Sequence, residues 1–207
     1  MIYGLCAVII GTVIGMFLGV FAALHKNTIW DTIATVISVI GVSIPSFVFA
    51  MLILLLFASK LRLLPTSYSS SNAIKSSIMP ILALSVGVIA NVARFTRTEM
   101  VSVLTSEYMT LAKAKGLDRK TLIFKHALRN ALIPVITILG PILVNLMTGT
   151  MVVEKICSVP GLGKLLINSI LSNDYNIILA CSFLYAAMYI FCLLYTSDAA
   201  DEARSVD

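Results

Sequence analysis

The sequence predicts an all-α fold, a polytopic bundle of about five transmembrane helices with one polar loop built from two short helices. Composition is the first observation: 59% of the 207 residues are hydrophobic and 12% are charged, whereas a soluble domain carries roughly 25% charged residues. The second is that the apolar residues form runs long enough to cross a bilayer, which takes about 20 residues. The third is a single long cationic segment between two such runs. We therefore expect a core buried against lipid and neighbouring helices.

The first apolar run extends from Met1 to about Leu24 and contains no charge. It lacks the basic start and the small-residue cleavage site of a signal peptide. Gly11, Gly15 and Gly19 recur every four residues, which places them on one face of a helix. Such a ridge lets another helix approach closely in lipid, so we expect these glycines to serve helix packing rather than substrate binding.

The second apolar run, 28–59, follows a short polar turn at 25–27 and is long for one crossing. Tilt or an interfacial start would accommodate its length. Pro45 lacks a backbone N–H and is expected to kink the helix in mid-span. With Ser43 and Ser46 beside it, this segment is a candidate lining for a transport path, although ordinary irregularity of a membrane helix explains it equally well.

Three later apolar runs complete the expected bundle. They extend from about 78 to 93, continuing as a helix out of the membrane; from about 131 to 153, broken by Pro134 and by Gly140-Pro141; and from 177 to 195. A short amphipathic helix is expected at 164–171. Residues 196–207 turn abruptly acidic, which suggests a tail that is disordered or foreign to the protein.

The polar segment at 104–130 has the pattern of a built structure. Tyr108, Leu111 and Ala112 recur at helical spacing, and Gly116 stands where a left-handed residue ends a helix. A second helix is expected to begin at Asp118, which can cap it. Leu117 and Leu122 then occupy the positions of a hydrophobic staple across that cap. The segment is predicted to be a helix, a glycine corner and a second helix.

The distribution of basic residues predicts the orientation of the bundle. The two loops on the opposite side hold five lysines and arginines: Lys60, Arg62, Lys75, Lys155 and Lys164. Residues 94–129 hold eight: Arg94, Arg97, Lys113, Lys115, Arg119, Lys120, Lys125 and Arg129. The positive-inside rule therefore places 94–130 in the cytoplasm. Topology explains the net charge of +5 better than nucleic-acid binding does.

Chemistry within the chain is not indicated. The four cysteines show neither CxxC nor histidine-paired spacing, so we expect no metal and no cofactor. A membrane-embedded protease would need a nucleophile with a base, or metal ligands, at membrane depth, and both histidines, His25 and His126, lie at span edges. An ion-coupled secondary carrier, the alternative transport class, usually shows intramembrane charges or inverted repeats, and neither is apparent.

Two stretches of the polar segment resemble a known family. They are Tyr108-Met-Thr-Leu-Ala-Lys-Ala-Lys-Gly-Leu117 and His126-Ala-Leu-Arg-Asn-Ala-Leu-Ile-Pro134, supported by residues 43–47, 63–65, 153–163 and 173–175. Over essentially 1–194 the chain resembles the permease subunits of binding-protein-dependent ABC importers, in the dipeptide, oligopeptide and nickel branch and close to the oligopeptide B-type subunit. The glutamate that names the family loop is replaced by Thr110-Leu111-Ala112. The first span of the family and its basic cytoplasmic end are missing, so a non-functional truncated fragment is a further alternative.

The resemblance implies a multi-pass inner (plasma) membrane permease, without enzymatic activity, that imports peptides or similar small solutes. Its implied partners are cytoplasmic ATP-binding subunits, a second permease subunit, an extracytoplasmic solute-binding protein and the lipid bilayer. The implied docking and coupling residues are Tyr108, Leu111, Ala112, Ala114, Gly116, Leu117, Asp118, Leu128 and Pro134. The first three would be the apolar anchors, although an amphipathic helix resting on anionic lipid would have a similar composition. Pro160, Gly161 and Gly163 would contact the binding protein, or belong to a lid packed on the helix ends.

Overall fold

The computed structural model describes the backbone of residues 2–205 and the side chains of residues 2–146 and 150–194, and the backbone described contains no strand. The helices are, in chain order, α1 (Ile2–Leu24), α2 (Ile29–Ser43), α3 (Ser46–Ile53), α4 (Ala73–Leu104), α5 (Glu107–Ala114), α6 (Arg119–Thr121), α7 (Leu128–Ile156), α8 (Leu162–Leu171) and α9 (Tyr175–Ser205). Two π-helical turns prolong this set, Leu54–Lys60 after α3 and Leu122–Ala127 between α6 and α7.

The number of spans agrees with the all-α bundle of about five transmembrane helices that the sequence predicts. In the described chain, four helical stretches are long and apolar enough to cross a membrane, and the bent pair formed by α2 and α3 would add a fifth. The four are Ile2–Leu24, Ser70–Leu104, Arg119–Leu146 and Tyr175–Leu194.

The second run breaks at Pro45 rather than kinking there. The helical stretches on either side, Ile29–Ser43 and Ser46–Lys60, meet at 99°. Ile44 between them is extended, with φ −89° and ψ 125°. The Pro45 ring clashes with a helical conformation at the preceding residue, so the helix has to stop before it. The expected mid-span kink is therefore corrected to a complete break.

The opposite correction applies to α7, which the sequence led us to expect as a broken span. Pro134, Gly140 and Pro141 lie inside a helix that runs continuously from Leu128 to Ile156. Each proline removes one backbone donor, and packed membrane helices tolerate that loss because neighbouring groups and side chains compensate for it. Burial of Val135 and Val144 shows that this helix contacts the bundle near both prolines.

The glycine ridge of α1 packs directly on α4, as the sequence predicts. A Cβ added to Gly11, Gly15 or Gly19 would lie within 3 Å of atoms of α4, so a larger residue would force the helices apart. The contacts advance along both helices together, from Val88 opposite Gly11 to Thr96 opposite Gly19. The two helices therefore run parallel, and their C-terminal ends lie on the same side of the bundle.

An ion pair near those ends joins α2 to α4. Arg97 donates from Nε to Asp31 Oδ1 at 2.7 Å and from Nη2 to Oδ2 at 2.8 Å. Asp31 is only 4% exposed and also accepts a hydrogen bond from the Asn27 backbone N–H at 3.0 Å. The pair ties the start of α2 to the C-terminal part of α4.

The last helix is longer than expected. The part of α9 whose side chains are described, Tyr175–Leu194, is apolar enough to cross a membrane, and the backbone remains helical through Ser205. That residues 196–207 are disordered or foreign to the protein stays a prediction. The side chains from 195 onward, and residues 206–207 altogether, lie outside the described residues.

Candidate coupling site

The short helix α5 has one face fixed in the bundle and one face exposed. Met109 is completely buried and Ala112 is 9% exposed, whereas Tyr108 is 42% and Leu111 57% exposed. The buried pair belongs to an apolar cluster shared with α1, α4, the π-helical turn Leu122–Ala127 and the start of α7. Its residues are Ala23, Met100, Met109, Ala112, Leu122, Ala127 and Ala131. Ala112, expected as an exposed docking anchor, is thereby corrected to an inward-facing residue.

The corner after α5 is a Schellman motif. Gly116 has φ +80°, the left-handed conformation that the sequence predicts for it. Its N–H donates to the Lys113 carbonyl at 3.0 Å, and the N–H of Leu117 donates to the Ala112 carbonyl at 3.4 Å. This pair of hydrogen bonds satisfies carbonyls that the helix end leaves without partners and fixes the direction in which the chain leaves α5.

The second helix begins at the cap that the sequence predicts. Asp118 Oδ2 accepts hydrogen bonds from the backbone N–H groups of Lys120, at 3.2 Å, and Thr121, at 3.3 Å. Hydrogen bonds from Thr121, followed by the one from Lys120, hold the pKa of the Asp118 carboxyl below its usual value. Leu122 is buried and Leu117 is 38% exposed, and a staple contact between them stays a prediction.

A hydrogen bond ties α5 to the first turns of α7. Asn130 Nδ2 donates to the Tyr108 hydroxyl oxygen at 2.9 Å. This hydrogen bond joins α5 to α7, and the buried Met109 side chain joins α5 to the apolar cluster that includes residues of α1 and α4. Sequence reasoning missed both residues. The three-residue spacing of Met109 and Ala112 was the available signal for the inward face, whereas nothing in the sequence indicated the contact made by Asn130.

The exposed surface of the segment 104–130 combines apolar and cationic side chains. Phe124 is 65% exposed and adds to the apolar area of Tyr108 and Leu111. The exposed cations are Lys113, Lys115, Arg119, Lys120, Lys125 and Arg129, against two acids, Glu107 and Asp118. Of the remaining predicted residues, Ala114 is exposed while Leu128 and Pro134 are half-buried. Such a surface suits an apolar groove with an acidic rim.

The residues predicted to contact a binding protein lie at the other end of the bundle, where a carboxylate organises them. Glu154 is 6% exposed, and its Oε2 accepts the backbone N–H of Gly163 at 2.9 Å and that of Lys164 at 3.3 Å. A Cβ on Gly161 or Gly163 would collide with Glu154. The two glycines therefore let α8 pack on α7, which favours the lid interpretation for them, whereas Pro160 is exposed.

The predicted path residues lie at the break between α2 and α3, and the structure does not bring them to the coupling site. Ser43 is exposed and donates its hydroxyl to the Val39 carbonyl of its own helix at 2.8 Å, while Ser46 is half-buried. Their role in a transport path, with Pro45, stays a prediction. Among the residues described, no group of three or more potential metal-ligating side chains occurs.

The fold is also that of a known transporter. A chain in the crystal structure of an amino acid ABC transporter with histidines superposes with a TM-score of 0.70 over 98% of this chain and 91% of that one. The two sequences are 17% identical, so this similarity shows the fold alone.

Curated relatives extend the similarity to sequence. The dipeptide transport system permease protein DppB of Bacillus subtilis (strain 168) is 43% identical over 190 residues, 92% of this chain and 61% of the relative. The oligopeptide transport system permease protein OppB of Salmonella typhimurium is 42% identical over 185 residues, 89% of this chain and 60% of the relative. The chain thus spans about three fifths of the length of these relatives.

A family model matches residues 15–198, which include every span after the first turns of α1 and the whole coupling segment. The chain belongs to the family of binding-protein-dependent transport system inner membrane components.

Proposed function

We propose that this chain acts as the transmembrane permease subunit of an ATP-driven importer of peptides or similar small solutes. In this proposal a cytoplasmic ATP-binding subunit docks on the exposed face of α5, and its movement is passed to the spans. The observation that carries the proposal is the division of α5 into a face fixed in the bundle, Met109 and Ala112, and an exposed face, Tyr108 and Leu111.

The geometry supports transmission of force through this segment. A push on α5 would reach α4 and α1 through the buried Met109 side chain, and α7 through the Tyr108–Asn130 hydrogen bond. The Schellman corner at Gly116 fixes the angle at which the chain turns into the next helix. A short helix held at several points moves as a rigid body with the spans it contacts, which is what coupling to a second subunit requires.

The partners follow from the division of labour. The sequence contains no GxxxxGK[ST] phosphate-binding loop, so the proposal assigns nucleotide hydrolysis to the ATP-binding subunits and none to this chain. The family description supports an external binding protein, and a second permease subunit would complete the passage. The printed names of the relatives, dipeptide and oligopeptide permeases, support peptides as the solute class.

Co-purification with the ATP-binding subunits of its own transporter tests the docking proposal. Leu111→Asp places a charge on the exposed apolar face, and we expect it to reduce the recovered ATP-binding subunit by roughly tenfold or more, because a charge desolvated in an apolar groove is costly. The matched control is Thr110→Asp, which adds the same charge to a different exposed side of α5. Equal recovery with both variants and with the unaltered chain would refute docking on this face.

A further inference from the structure

One face of α4 is polar and is not covered by any other part of the bundle that the structure describes. Asn91, Arg94 and Thr98 are exposed and Gly87 is half-buried, and their spacing of three and four residues places them on one side of the helix. A Cβ at Gly87 would meet no atom within 4 Å. The face therefore has free space in front of it.

The neighbouring helices cover the other sides of α4. The glycine ridge of α1 packs on the side opposite the polar face, against Val88 and Val92. Gly41 of α2 approaches Ala90 on one flank, and Val135 of α7 packs with Val88 and Val92 on the other. The uncovered face thus lies between α2 and α7, in the half of the span that is nearer the C-terminal end of α4.

The depth of this face can be read from α1, which is parallel to α4. Asn91 is level with Gly15, because Gly15 contacts Ile89 and Val92. Nine residues separate Gly15 from the end of the uncharged helix at Leu24, which at ~1.5 Å per residue is roughly 13 Å. Arg94 lies about one turn closer to that end. Both side chains are therefore at depths where α1 carries only apolar residues.

The contrast with α1 at the same depth is direct. Phe17, 74% exposed, is what α1 presents there, and the exposed side chains of α9 include Phe183 and Phe191. Those faces suit lipid. An exposed guanidinium does not, because ionisable groups inside a membrane usually face a water-filled cavity or pair with each other. The Asn91 amide beside it donates from Nδ2 to the Gly87 carbonyl of its own helix at 2.9 Å.

Arg94 is not neutralised within the described chain. The nearby Arg97 is held by Asp31, whereas the Arg94 guanidinium makes no ion pair or hydrogen bond with any described side chain. A cavity of about 120 Å³ opens beside it between α1, α2 and α4. It is lined by Thr35, Ser38, Arg97 and Thr98 together with the apolar residues Leu18, Ala22, Ala34 and Ala93. The Arg94 guanidinium therefore borders a cavity with a partly polar lining, in which water can solvate it.

We propose that the α4 face formed by Gly87, Asn91, Arg94 and Thr98 lines a water-filled, cytoplasm-facing part of the solute passage. This inference rests on the proposed function, since it assigns one wall of the passage that a permease must contain. Arg94 gives that wall a positive charge, which favours solutes carrying a carboxylate.

Cysteine accessibility in inside-out membrane vesicles tests the assignment. In a background with the four native cysteines replaced by alanine, Asn91→Cys is compared with Phe17→Cys, the lipid-facing control at nearly the same depth. The probes are an anionic methanethiosulfonate, a cationic one and a lipid-soluble maleimide. The assembled transporter is used, and recovery of its ATP-binding subunits is measured on the same sample.

We expect both charged reagents to modify Asn91→Cys roughly tenfold or more faster than Phe17→Cys, because hydrocarbon excludes charged molecules. The anionic reagent is expected to react faster than the cationic one, and Arg94→Gln to remove that difference. Reaction with the maleimide alone would place the face against lipid, and protection from every reagent would place it against another helix; either result overturns the proposal. If the ATP-binding subunits co-purify but the charged reagents do not modify Asn91→Cys faster than Phe17→Cys, the passage assignment is wrong and the proposed function stands. If they do not co-purify, the proposed function fails independently of the labelling.

Discussion

At the scale of the residue, Gly116 determines the angle of the coupling segment. Its left-handed φ of +80° lets the two hydrogen bonds of the Schellman corner form. A Cβ at this position would meet no atom within 4 Å, so the constraint is entirely one of backbone conformation. Packing does not require a glycine here.

The substitution Gly116→Ala is therefore expected to weaken the corner by about 1–2 kcal/mol, the cost of a left-handed L-residue. The matched control is Gly116→Asn, which should retain more of the corner because asparagine visits this conformation more readily. Amide hydrogen exchange in α5 and in the following turn, residues 117–122, measures the effect. Equal protection in the alanine variant and in the unaltered chain would show that the corner is held by other contacts.

The sequence predicted some residues of the coupling site and not others, for physical reasons. Gly116 and Asp118 were predictable because a helix end and a cap depend on the chemistry of single residues and their immediate neighbours. The orientation of α5 was not, because Tyr108, Met109, Leu111 and Ala112 are all apolar enough to face either way. Met109 faces inward because a cavity between α1, α4 and α7 receives it, and that cavity exists only in the folded bundle.

At the scale of the element, the pair formed by α1 and α4 is the packing unit on which the bundle is built. Its contact depends on glycine at three successive positions one turn apart, since side-chain and backbone atoms of α4 occupy the space that a larger residue would need. Gly19 is the most constrained, because a Cβ there would lie 2.6 Å from the Ala93 carbonyl oxygen.

We expect Gly19→Ala to destabilise the protein by about 1–3 kcal/mol, the usual cost of overpacking, despite the higher helix propensity of alanine. Gly87→Ala is the matched control in α4, where the added methyl group meets open space and only the propensity gain remains. Unfolding in a detergent titration gives both free energies. A neutral result for Gly19→Ala would mean that α1 can move away from α4 without loss.

Prolines explain why some elements were predicted less well than this pair. Pro45 ends a helix and Pro141 does not, although the local sequence rule is the same for both. The burial beside each proline differs: Val135 and Gly140, next to the prolines of α7, are buried, whereas residues 42–46 around the break are exposed or half-buried. A proline rule read from sequence gives the tendency, and tertiary packing decides the outcome.

At the scale of the whole molecule, the structure gives an argument for topology that does not use charge. Because α1 and α4 are parallel, the turn after α1 must lie on the same side as the end of α4. Ala23 packs with Met100 and Met109, which brings that turn next to the coupling segment. Basic residues had predicted a cytoplasmic location for 94–130, and the parallel pair adds the turn at 25–27 to the same side.

Two positions on this side and one on the other test the arrangement in intact cells. With the native cysteines replaced, we expect a membrane-impermeant maleimide to modify Ser71→Cys, in the opposite loop, and to leave Lys26→Cys and Lys115→Cys unmodified until the membrane is made permeable. The physical reason is that three spans, α1, the α2–α3 pair and α4, each reverse the side on which the chain lies. Modification of Lys26→Cys but not Lys115→Cys in intact cells would contradict the parallel packing, whereas modification of both would invert the bundle and move the proposed docking face to the outside. Because the first pattern tests the fold and the second tests the positive-inside argument, the three cysteines separate the two grounds on which the orientation rests.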